Sequence, residues 1–143
     1  MKKYRATVLA TLTVAGLLTA ATAAATPTAS DLPPVMTQGS VKYMSGGIGT
    51  DEEAAIRGEM SKYPLTLEFA ERARPSPEHL AGINVTIKDQ SGRTELDTIS
   101  DGPYMLVQLP AGKYRITADE NGRTQTRNVV VAASTPEHVL FEW

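Results

Sequence analysis

Residues 101–119, DGPYMLVQLPAGKYRITAD, decide how the rest of the chain is read. Asp101-Gly102-Pro103 and Pro110-Ala111-Gly112 are turn signals, so one strand lies between them and another starts after the second. Tyr104 to Leu109 is apolar on both faces apart from Gln108, which is how a central strand covered from two sides reads. Tyr114, Ile116 and Ala118 then alternate with Lys113, Arg115 and Thr117, the period of a half-buried strand.

The same reading extends outward in both directions. Asn121-Gly122 is a type I′ hairpin signal, leading into Arg123 to Val131, and a last strand runs from Glu137 to Trp143. On the other side, Glu95 to Ser100 is a weaker strand, preceded by the turn Asp89 to Gly92. Ile83, Val85 and Ile87 alternate with polar residues, as do Leu65, Leu67 and Phe69. About seven strands at this spacing predict a mainly β protein, a seven-strand antiparallel β-sandwich. One short N-terminal α-helix precedes them, from Thr50 to Tyr63. Thr50 and Glu53 have capping-box spacing, three acids suit the positive end of the helix dipole, and Pro64 stops the helix. Ile56, Met60 and Tyr63 form one apolar stripe, and Glu53 and Arg57 pair at i, i+4.

The first residues have the order of a secretory signal peptide: MKKYR, an apolar run from Ala6 to Ala20, then small residues to Ala25. The run is shorter than the roughly 20 apolar residues of a spanning helix and is rich in Thr. Cleavage is expected before Ala24 or Thr26, with no stable membrane insertion afterwards. The expected organisation is a signal peptide over 1–25, a flexible leader over 26–44 with a short strand at Val41 to Met44, and one sandwich domain over 45–143. Ser45 to Gly49 reads as a flexible turn.

Cleavage removes three of 14 basic residues and none of the 16 acidic ones, so the mature chain carries 11 − 16 = −5. That balance argues against nucleic acid and against an anionic membrane surface as partners. The chain has no cysteine, which excludes disulfides, thiolate nucleophiles, Cys metal sites and a lipid anchor on Cys.

The pieces Asp101-Gly102-Pro103-Tyr104 and Leu109-Pro110-Ala111-Gly112-Lys113-Tyr114-Arg115-Ile116 resemble the carboxypeptidase regulatory-like domains. The likeness covers about residues 65–143 and implies a transthyretin-like, prealbumin-type sandwich. It implies no peptidase activity, and no zinc-peptidase motif is present. Gly46-Gly47-Ile48-Gly49-Thr50-Asp51-Glu52, together with Asp101-Gly102-Pro103, also resembles a set of small exported proteins of Gram-negative bacteria. That implies a periplasmic or secreted location.

Candidate chemistry is sparse. Gly46 to Gly49 enters a helix, the context of a phosphate loop, but Asp51, Glu52 and Glu53 stand where phosphate would bind. His79 and His138 are the only histidines, and nothing in their spacing demands a shared metal. No serine sits in a nucleophile motif. Tyr43 and Tyr104 are the remaining candidates for a sugar platform, since Trp143 reads as core. The proline-stiffened loop 71–82 is the best surface for a partner. The candidate contact residues are Arg72, Arg74, Pro75, Pro77 and His79 there, with Gly46, Gly47, Asp51 and Glu52 at the helix start. The expected function is a non-enzymatic periplasmic accessory module that binds another protein or an envelope component. The alternatives are a carbohydrate-binding module, or a small hydrolase or metal-dependent enzyme using His79 and His138. No cofactor is expected, and exposed edge strands leave a homodimer open.

Overall fold

A computed structural model describes residues 31–143. The expected signal peptide at 1–25 and the start of the leader lie outside the described residues. In chain order the elements are β1 (Met36–Gln38), β2 (Val41–Gly46), α1 (Thr50–Glu59) prolonged by a 3-10 turn (Met60–Lys62), β3 (Leu65–Glu71) and β4 (Glu78–His79). They continue with β5 (Ile83–Asp89), β6 (Thr94–Ser100), β7 (Tyr104–Gln108), β8 (Gly112–Glu120), β9 (Arg123–Val131) and β10 (Glu137–Glu142).

The strands form two sheets packed as a sandwich. The six-stranded sheet has the order β1-β2-β7-β3-β10, with β4 added to the end of β3, and the four-stranded sheet has the order β6-β5-β8-β9. Three expectations are corrected. The described residues hold ten strands, not seven: the seven expected ones are β3 and β5 to β10, the short strand expected at Val41 to Met44 is β2, and β1 and β4 are added to them. The helix is not N-terminal, because β1 and β2 precede it. The sheets are not wholly antiparallel, because β10 runs parallel to β3, with Glu137 beside Leu65 and Phe141 beside Phe69.

The alternating residues point where their period requires. Leu65, Leu67, Phe69, Ile83, Val85, Ile87, Ile116 and Phe141 are buried between the two sheets. The outer face of the six-stranded sheet has a second apolar cluster of Met44, Ile56, Tyr104 and Leu106, with Met60 and Tyr63 packed against it. This explains why β7 is apolar on both faces: Met105 and Val107 face the second sheet, while Tyr104 and Leu106 face the helix. Burying Ile56 contributes roughly 1.5–3 kcal/mol, which a helix of this length needs to stay formed.

The turns follow the sequence signals. Asn121 and Gly122 both have positive φ, as a type I′ hairpin requires. In the Asp89–Gly92 turn, Asp89 Oδ1 accepts hydrogen bonds from the backbone of Ser91 and Arg93. Side chains stitch the two sheets together at both sides. Gln38 exchanges two hydrogen bonds with the backbone of Asp97. Gln125 Nε2 donates to Glu142 O, and Trp143 Nε1 donates to Arg123 O.

Candidate functional site

The site is built on glycines that let two turns touch. A Cβ on Gly102 would lie 2.3 Å from the backbone oxygen of Gly46, so the 101–103 turn packs directly on the end of β2. Gly47 has φ +98° and sits on the ring of Tyr104. Asp101 N donates to Ser45 Oγ at 3.1 Å, which fastens the same junction. Residues 45–47 are therefore buried and packed, and the expectation of a flexible turn at Ser45 to Gly49 gives way to a fixed corner.

The helix start departs from the expected capping box. The N-cap is Gly49, and no side chain caps it. Glu52 instead turns back, its Oε1 accepting from Gly47 N at 2.7 Å and from Ile48 N at 3.4 Å. The positive φ of Gly49 (+90°) places the helix start one residue earlier, so Glu52 occupies the third helical position rather than Glu53. Glu53 is thereby free to face Arg57, 3.2 Å away.

Between this corner and the loop after β3 lies a groove of about 410 Å³. Gly47 to Thr50 and Glu53 form one wall, His79 to Ala81 the other, and Pro103 lies between. The two regions singled out in the sequence are thus neighbours in space. A second groove of about 490 Å³ lies on the far side of Ile48 to Thr50, lined by Asp31 to Pro34, Asp51 and Glu52. Ile48 stands on the ridge between the grooves and is 63% exposed.

The expected contact residues divide accordingly. His79 lines the first groove, and Asp51 and Glu52 line the second. Gly46 and Gly47 are buried and build the corner. Arg72 pairs with Glu142 at 2.9 Å, holding the loop to β10, and Arg74, Pro75 and Pro77 are exposed beyond the groove. Ile48 was not among the expected contact residues; an apolar residue flanked by glycines is the signal in the sequence that marks it.

A line of polar groups runs beside the groove across the outer face of the six-stranded sheet. Arg57 donates twice to Tyr104 Oη, at 3.1 and 2.9 Å, and the hydroxyl donates to Glu53 Oε1 at 3.4 Å. The His79 ring meets Tyr104 edge-on, with centroids 5.4 Å apart. Glu68 lies between the two histidines: His138 Nε2 is 2.8 Å from Oε2, and His79 Nε2 is 3.9 Å from Oε1. Burial raises the Tyr104 phenol pKa against the opposing hydrogen bond from Arg57. The hydrogen bond to Tyr104 in turn raises the Arg57 guanidinium. Both histidines are therefore partnered with one carboxylate. Among the described residues, no group of three or more His, Cys, Asp or Glu is placed to hold a metal ion. Tyr43 and Tyr104 are buried, so neither offers an exposed ring face to a sugar.

Fold and site define a two-sheet β-sandwich domain with paired grooves on its helix-bearing face. No protein-family model matches the chain, and no curated protein similar to it was found. Among the described residues, no helix is long and apolar enough to cross a membrane.

Proposed function

We propose that the chain is a non-enzymatic accessory module of the bacterial periplasm that docks on another protein through the Ile48 ridge. The observation that carries this reading is the exposed isoleucine that directly follows the buried, packed corner at residues 45–47. Gly102 packs on the Gly46 backbone and Gly47 on the Tyr104 ring, and a groove opens on each side of the corner. A rigid apolar anchor loses little conformational freedom on binding, which is how a single side chain becomes a hot spot. Asp51 at the rim favours a basic surround on the partner. The finer fold assignment belongs to the same reading. The seven strands β3 and β5 to β10, with the DGP and LPAG turns, fit a transthyretin-like sandwich of the carboxypeptidase regulatory-like kind.

The test is photo-crosslinking in the periplasm from a reactive residue placed at position 48, with Ile48→Asp as the competing variant. One discrete partner band is expected, and pull-down by the Ile48→Asp protein should fall about tenfold or more. No band above the background from an exposed position on the opposite sheet, such as Thr126, would end the reading.

A catalytic reading rests on Glu68 drawing His79 and His138 together. It is separated from the docking reading by His79→Ala/His138→Ala, which leaves crosslinking at position 48 intact if docking is the function.

A further inference from the structure

The outer face of the four-stranded sheet holds positive charge that the protein itself does not neutralise. Arg57, Lys62, Arg72, Arg93 and Arg123 each have a carboxylate partner. The other six cations have none among the described residues: Lys42, Arg74 and Arg127 lie apart from one another, whereas Lys88, Lys113 and Arg115 are all exposed around one pocket of about 400 Å³. Lys88 and Arg115 are direct cross-strand partners, so their Cα atoms lie about 5 Å apart. Lys113 stands two residues along β8 on the same face, roughly 7 Å away. In a chain whose acids outnumber its bases, placing three like charges this close costs Coulomb energy, and no carboxylate forms an ion pair with any of the three among the described residues.

The surroundings keep the charge available. The next row of the sheet on this face is Asp97, Thr86, Thr117 and Thr126; its one carboxylate, Asp97, accepts from the Thr86 hydroxyl at 3.5 Å and forms no ion pair with the three cations. Asp89 borders the pocket, but its Oδ1 takes the Ser91 hydroxyl and amide and the Arg93 amide, and Oδ2 lies 3.5 Å from Arg93. Glu95 is also held by Arg93. Arg115 Nε makes a long contact to Asn128 Oδ1 at 3.5 Å, and its two terminal nitrogens have no acceptor among the described residues. Val130 gives the pocket an exposed apolar wall.

We propose that this pocket binds a small phosphorylated molecule, with Lys88, Lys113 and Arg115 gripping the phosphate and Val130 meeting the organic body. Arginine's fork and two flexible ammonium groups suit a tetrahedral anion from three directions. The volume suits a ligand of about sugar-phosphate size.

The test is amide-shift titration of the full domain with glucose 6-phosphate at low salt, beside glucose and inorganic phosphate. Saturable shifts confined to residues 88–92, 113–115 and 128–130 are expected, with inorganic phosphate competing and glucose silent. Arg115→Gln should weaken binding at least tenfold. Lys42→Gln, another unpaired surface cation on the other sheet, should leave it unchanged. Shifts spread over the whole surface, equal loss in both variants, or no competition by phosphate would each overturn the site. Binding seen only with vesicles containing phosphatidylglycerol would also overturn it, because the ligand would then be a membrane surface.

Discussion

Gly102 and Gly58 make opposite demands on the same residue type. A methyl group at 102 meets the Gly46 backbone at 2.3 Å, and backbone cannot step aside as a side chain would. Gly102→Ala should lower the stability read from urea unfolding by about 1–3 kcal/mol, and should weaken crosslinking at position 48 by shifting the corner. Nothing lies within 4 Å of a Cβ at Gly58, which stands in α1. Gly58→Ala should raise stability by roughly 0.5–1 kcal/mol, because the helix gains propensity and the unfolded chain loses freedom. If the two substitutions moved the urea midpoint in the same direction, the close approach of the two turns would not be what sets the cost. At this scale the turns were legible from glycine and proline alone. The capping was not, because it depends on the φ of +90° at Gly49, which glycine permits without announcing.

Helix α1 is the one element whose attachment rests on a small cluster. Ile56 is fully buried, and its neighbours in the outer cluster are Met44, Tyr104 and Leu106. Ile56→Ala should cost about 2–5 kcal/mol of the energy holding the helix down. The expected result is faster hydrogen exchange in residues 50–62 and at the Tyr104 end of β7, with β5 and β8 still protected. Uniform loss of protection across both sheets would show instead that the helix and sandwich open as one unit. The long alternating strands were legible because period 2 writes itself into five or more residues. Strands β1 and β4 were not, since three exposed residues and two exposed residues hold no period. Their strand conformation is imposed by β2 and β3, to which they hydrogen-bond. The meeting of His79 and His138 at Glu68 was hidden for the same reason. It requires β4 antiparallel and β10 parallel to β3, two registers set by distant parts of the chain.

For the whole molecule, stability should fall at both ends of the pH scale. The phenols of Tyr63, Tyr104 and Tyr114 are raised, in each case chiefly by burial. Their contribution is present below about pH 10, the ordinary tyrosine value, and is lost as pH rises through the folded-state values. Asp89 is lowered, chiefly by the Ser91 hydroxyl, and Asp119 chiefly by the Thr124 hydroxyl. Their contribution is present above about pH 4 and is lost as pH falls through the lowered values. Urea unfolding at steps from pH 3 to 11 should give a plateau between these limits. Tyr63→Phe should make the alkaline fall shallower, and an unchanged slope would remove Tyr63 from the account. The parallel pairing of β10 with β3 also bears on how fast the molecule forms. It joins residues 65 and 137, a separation of 137 − 65 = 72 positions, whereas the β8–β9 hairpin joins residues three apart at its turn, 120 and 123. Closing the longer loop costs more entropy before any contact repays it. The four-stranded sheet can therefore assemble from near neighbours, while β3 stays open along one edge until the end of the chain arrives. In a stopped-flow refolding trace, Trp143 should report the slow closing step, and amides of β8 and β9 should gain protection before it.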